Sequence, residues 1–190
     1  MPMRRWRKTR GIALGALAIA IAGGAYVFWP APTGSPAKLA RKLGGDQVVA
    51  VIRTAVSIES FRVTDTSRRT SSQPPIRGGY IVVDGPVIPS APLANELSTA
   101  LLDPKTYKWD GSVKACIFDP GVRIDFRTAP DLVQVVICFQ CDELRVERNY
   151  QPVGFLDFDP GREKLVKLAK QLFPDDQVIQ ALPENRKRSK

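Results

Sequence analysis

Three cysteines and the absence of histidine bound the chemistry open to this 190-residue chain. Cys138 and Cys141 bracket a CxxC, and Cys116 stands apart from them. In a thiol–disulfide enzyme a CxxC supplies a thiolate nucleophile and its resolving partner, and a helix N-terminus normally stabilises the thiolate. Here a β-type apolar run, Leu132 to Phe139, leads into the motif, and Asp142 and Glu143 follow it. Local charge is therefore opposite in sign to what activates such a thiol. A metal reading takes Cys116, Cys138 and Cys141 with Asp142 as fourth ligand. One CxxC plus a remote cysteine is half of the usual zinc pattern. The structural reading, which the sequence favours, is one disulfide and one buried leftover thiol in an oxidising compartment. The pairing stays open: Cys138 with Cys141, or one of them with Cys116.

Without histidine there is no Ser–His–Asp or Cys–His nucleophile and no imidazole base or ligand. Asp157 and Asp159 have the DxD spacing of metal-dependent sugar transfer, but Asp159 also suits a helix cap. No catalytic residue and no cofactor is expected.

The cysteines sit in residues 113–146, which read as a β-meander. Val113–Phe118 is the first expected strand, and Asp119–Pro120–Gly121 turns the chain, Gly121 taking positive φ. Val122, Ile124 and Phe126 alternate with Arg123, Asp125 and Arg127, the pattern of a strand with one wet face. Ala129–Pro130–Asp131 turns again. Leu132–Phe139 is apolar except for Gln134, as in a strand buried on both faces. Leu144–Arg148 adds a fourth strand. In a plain meander Cys116 lies opposite about Ile124 and Cys138 opposite about Val122. They would then stand two strand spacings apart, ~9.6 Å, too far for a disulfide.

The elements that position this region follow from propensity and punctuation. Lys38–Leu43 predicts a short helix stopped by Gly44 and Gly45. Asp46 suits an N-cap for QVVAVIRTAV, whose β-branched residues leave helix and strand both open. Ser57–Thr64 reads as a strand, residues 65–77 as a polar loop holding Arg68 and Arg69, and Gly79–Val83 as a strand ended by Asp84–Gly85–Pro86. Ser90–Leu102 is a helix with Leu93, Leu97, Ala100 and Leu101 on one face. Asn149–Asp157 reads as a loop. A last long helix starts at Asp159 as N-cap with Pro160 at N1, burying Leu165, Leu168, Ala169 and Leu172 and turning Arg162, Lys164, Lys167 and Lys170 outward. Asp175 or Asp176 caps a final turn.

Charge and hydropathy set the surroundings. Residues 1–10 are a basic n-region, and Gly11–Trp29 is an uncharged run bracketed by Trp6 and Trp29. As a helix that run spans ~28 Å, close to the ~30 Å hydrocarbon core. It reads as a signal anchor with its N-terminus cytoplasmic, the alternative being a cleaved signal peptide and a secreted product. Residues 30–37 are a Pro-rich linker. Of the formal net charge of +9, five positive charges precede the apolar run and a net three lie in the tail 184–190, leaving +1 for residues 31–183. A near-neutral domain is the wrong pattern for nucleic-acid binding. The tail has too few apolar residues to pack and is expected to be disordered.

The order DPKTY, KACIFDPGVRIDF, VVICFQCDEL, FDP and LFPDDQVIQAL resembles a group of bacterial exported or membrane proteins to which no function is attached. The resemblance covers the C-terminal half and implies one shared domain, not an activity. The chain thus reads as a single-pass membrane protein whose partner at residues 11–29 is the lipid bilayer. Its extracytoplasmic domain, 38–183, is expected to be α+β: an antiparallel meander packed against two or three helices. The expected role is a non-catalytic interaction or structural module. The alternative is a redox or metal-binding module using Cys116, Cys138 and Cys141.

Overall fold

A computed structural model describes residues 35–65, 76–77, 79–110 and 114–185. The basic n-region, the apolar run 11–29, most of the linker, the Arg68–Arg69 pair and residues 186–190 lie outside the described residues. No described helix is long and apolar enough to cross a membrane.

The fold is α+β, with five α-helices among the described residues and one antiparallel sheet ordered β2-β3-β1-β4-β5-β6-β7. Helix α1 (Pro36–Leu43) starts where Ser35 accepts the Lys38 amide, and Gly44 closes it in the left-handed conformation. Helix α2 (Asp46–Thr54) resolves the helix–strand ambiguity: Val48, Val51 and Ile52 bury at helical spacing, and tertiary packing overrides the β-branched propensity. Asp46 is its first residue and Gly45 stands at the cap position. Strand β1 (Ser57–Asp65) pairs with both β3 (Tyr80–Val87) and β4 (Val122–Arg127), while β2 (Ile76–Arg77) extends the β3 edge. Strand β3 does not end at Asp84–Gly85–Pro86. It continues because β1 bulges beside it and Gly85, at φ 104°, lets the backbones meet; a Cβ there would stand 2.7 Å from the Ser60 carbonyl oxygen.

Helix α3 (Ala91–Leu102) follows, then β4, β5 (Leu132–Cys138), β6 (Glu143–Arg148) and β7 (Gln151–Asp157), a four-stranded meander. Its first strand is not the expected one. Residues 114–121 form no strand, and β1 occupies the place beside β4. Gly121 is not among the positive-φ residues; the segment runs straight into β4, its amide donating to the Ile137 carbonyl and its carbonyl accepting from Val63. The expected loop 149–157 is instead β7, because Asn149 and Tyr150 both take positive φ and make a two-residue hairpin turn. Pro152 is tolerated since β7 is an edge strand. Helix α4 runs Arg162–Leu172 after a 3-10 turn at Asp159–Gly161, so Asp159 is not its cap. Helix α5 (Gln177–Gln180) is capped by Asp176, as expected.

One face of the sheet carries Val122, Ile124, Phe126, Val133, Val135, Ile137, Leu144 and Val146, and with the buried residues of α1 to α4 it forms a single apolar core. Strand β5 is buried on both faces, as its composition predicted. The second face of β4 is the correction. Arg123 and Asp125 are each 1% exposed, not wet. The sheet coils until Tyr80 of β3 donates to Glu147 of β6 at 3.1 Å, across three intervening strands. A flat sheet would keep those strands ~19 Å apart. Beneath this arm Arg123 Nε lies 2.9 Å from Asp125, Gln134 donates to Asp125 at 3.2 Å, and the Arg123 guanidinium sits 4.5 Å from the Phe61 ring centre. Burial pushes the Asp125 carboxyl above its ordinary range, against the nearby Arg123 charge. Burial and the Glu147 charge push Tyr80 up to about 12.

Candidate functional site

Residues 108–110 and 114–121 carry no helix or strand, so their backbone polar groups need partners from elsewhere. The Lys108 amide donates to the Asp157 carbonyl at 2.9 Å, and the Gly121 amide donates to Ile137 at 2.8 Å. Between these ends Lys114 reaches down to Asp159 at 2.6 Å, Asp157 at 2.9 Å and the Cys141 carbonyl at 2.7 Å. Burial works to lower the Lys114 pKa, but hydrogen bonds to Asp159 and Asp157 outweigh it and hold the ammonium above its ordinary value. Phe118 packs on Val136 and Cys138, and the Arg145 guanidinium covers its ring at 4.0 Å.

The covalent link in this arrangement is Cys116–Cys141, with Cα atoms 5.8 Å apart. Cys116 meets its partner because it lies off the ladder, in the segment that the meander reading had placed in a strand. Cys138 is the leftover thiol, fully buried, and its sulfur accepts the Cys141 amide at 3.3 Å. The CxxC is therefore not the bonded pair. Asp142, at φ 56°, turns the chain between β5 and β6, and its carboxylate pairs with Arg162. Arg162 was expected to face outward. It is buried, and it also donates to the Phe139 carbonyl at 2.7 Å and to Pro183 at 3.0 Å. An arginine with five donors fits a site that offers a carboxylate and two carbonyls. Helix α4 thus fixes the turn that carries Cys141.

This geometry redefines the sequence-derived candidates. Cys116 and Cys141 share a disulfide and offer no thiolates, and Asp142 is committed to Arg162, so the four-ligand set is not assembled. No group of three or more metal-ligating side chains is found among the described residues. Asp157 and Asp159 converge on Lys114, an internal cation in the place a DxD metal would take.

What the arrangement does enclose is a cleft of about 390 Å³. The stapled segment gives one wall through Lys108, Trp109, Asp110, Lys114, Cys116 and Phe118. Strands β6 and β7 give the floor through Glu143, Arg145, Phe155 and Asp157, and α1 brings Lys38 and Lys42 to the rim. Helix α1 can lie this close because Gly154 has no side chain; a Cβ there would stand 2.5 Å from the Lys42 carbonyl oxygen. Lys38 Nζ lies 5.2 Å from the Trp109 ring centre. Glu143 lines the cleft yet is only 6% exposed, and burial raises its pKa against the pull of Lys114.

Sequence reasoning reached the staple and missed the cleft. Phe155 was hidden in a stretch read as loop, and Lys38 and Lys42 were placed in a short helix with no role assigned to them. Glu143 was noticed solely as a charge beside the CxxC. The available signal was Gln151–Asp157: Asn149–Tyr150 after a strand, then Val153, Phe155 and Asp157 on one side.

Comparison with protein-family models, with curated proteins and with solved structures found no match to this chain.

Proposed function

We propose that this chain is a membrane-anchored, extracytoplasmic binding module, non-catalytic, whose binding surface is the cleft beneath the 108–121 segment. The observation that carries the reading is the Cys116–Cys141 disulfide, which holds the cleft wall to the β5–β6 turn. Structural disulfides persist in oxidising compartments. Residues 1–29 supply an export signal of matching logic, a basic n-region before an uncharged run. Burial of Cys138 weighs against a redox enzyme, because exchange chemistry needs an accessible thiolate.

Intact-mass analysis of the full chain from its native envelope tests this, with alkylation before and after reduction. The module reading expects an uncleaved N-terminus, no label on the folded protein, one label after unfolding and three after reduction. Three labels without reduction would contradict it, as would disulfide-reductase turnover that disappears in Cys138→Ser. A mature chain beginning near Tyr26 would replace the anchor with a cleaved signal.

A further inference from the structure

We propose that the cleft binds an anionic saccharide, Glu143 pairing with sugar hydroxyls while Lys38 and Lys42 take the acidic substituent. The inference rests on the reading of the chain as a binding module and names the ligand class for that site. Its starting point is Glu143. Glu143 is 6% exposed, lines the cleft and makes no hydrogen bond or ion pair among the described residues, and its carboxylate oxygens meet the open space of the cleft with the Lys114 and Arg145 charges nearby. A carboxylate that faces a cleft without a hydrogen-bond partner from the protein is available to a donor that a ligand delivers.

The charge of the cleft selects the donor. Lys114 is engaged by Asp157 and Asp159, and Lys108 lies 3.4 Å from Asp110. Lys38 and Lys42 have no carboxylate within ion-pair distance among the described residues, which include all 19 Asp and Glu of the chain. Four residues apart on α1, they lie on one side of the helix and act together. Such a rim repels an ammonium and attracts an acid. Uncharged donors are then what Glu143 can take, and of these we assign hydroxyls, which both donate and accept and so can also meet the lysines beside it. Phe155, 46% exposed on the cleft floor, offers a flat apolar surface to the C–H face of a sugar ring. A few convergent polar groups, an aromatic surface and a volume of this size are the composition of a small-ligand site.

The test is calorimetric titration of the full chain, held in a polyoxyethylene detergent so that no glycoside detergent competes. The probes are trigalacturonic acid, its neutral trimethyl ester and inorganic phosphate. The acid should bind about tenfold more tightly than the ester, in keeping with two exposed ion pairs. Lys38→Gln with Lys42→Gln should reduce that ratio to about one while leaving the ester unaffected. Glu143→Leu should weaken acid and ester alike by about tenfold. Phe155→Ser, at an exposed position, provides the same readout should Glu143→Leu fail to fold. Equal binding of acid and ester would overturn the proposal, as would displacement of the acid by equimolar phosphate, or no binding of either trisaccharide to the wild-type chain. None of these outcomes touches the disulfide count or the N-terminus. A wrong ligand class and a wrong module reading are therefore told apart.

Discussion

The helix-covered face of the sheet and the face under the β1–β3 arm and the 108–121 segment are both buried, by unlike means. On the first, Ile124, Phe126, Val135, Leu144 and Val146 meet apolar helix residues, and non-directional burial suffices. On the second, Arg123, Asp125, Gln134, Glu147 and Tyr80 must find particular partners, and a disulfide fastens the covering segment. The contrast teaches where function can reside. The apolar layer is closed over by its helices, whereas the polar face, covered by an irregular segment, borders a cleft.

Perturbing each face separately breaks the comparison open. Phe126→Ala should have the largest effect, a loss of about 3–5 kcal/mol by chemical denaturation, because the ring is fully buried in the helix-covered core. Cys116→Ser with Cys141→Ser should cost about 3.5 kcal/mol, the loop-closure value for a sequence separation of 25. Asp125→Ala should cost about 3 kcal/mol, since it strips a buried arginine of its nearby carboxylate. Arg123→Met with Asp125→Leu should be nearly neutral, and that result would mark the pair as a specificity device, not a source of stability.

The smallest effect of a single substitution should come from Glu143→Gln. The folded-state pKa of Glu143 lies above its ordinary value, so its contribution to stability is fully present below the unfolded pKa and lost as pH rises through the folded one. At neutral pH the variant should therefore melt slightly above wild type. The gap should close as pH falls below the ordinary carboxylate range. A gap that widens on acidification would contradict the assignment.

The helix-covered face was legible in the sequence because burial without partners leaves a periodicity. Leu97, Ala100 and Leu101, or Leu165, Leu168, Ala169 and Leu172, recur at helical spacing, and Val122, Ile124 and Phe126 recur at strand spacing. The other face was misread for the converse reason. Arg123 and Asp125 look like solvent positions, and what buries them is coiling of the sheet and a segment far away in sequence. Arg162 misled in the same way, since a lysine-rich helix face gives no sign that its first residue turns inward to Asp142. The pairing of Cys116 with Cys141 followed from Cys116 lying outside the ladder, a fact decided by β1 taking the place beside β4. Nothing local to the cysteine region records that.

Hydrogen exchange on the full chain, oxidised and after reduction of the disulfide, tests most directly whether the staple makes the cleft. The account predicts faster exchange confined to residues 108–121 and the β5–β6 turn, with α2, α4 and the core strands unchanged. Unaltered protection in 108–121 after reduction, or loss of protection across both faces together, would contradict it.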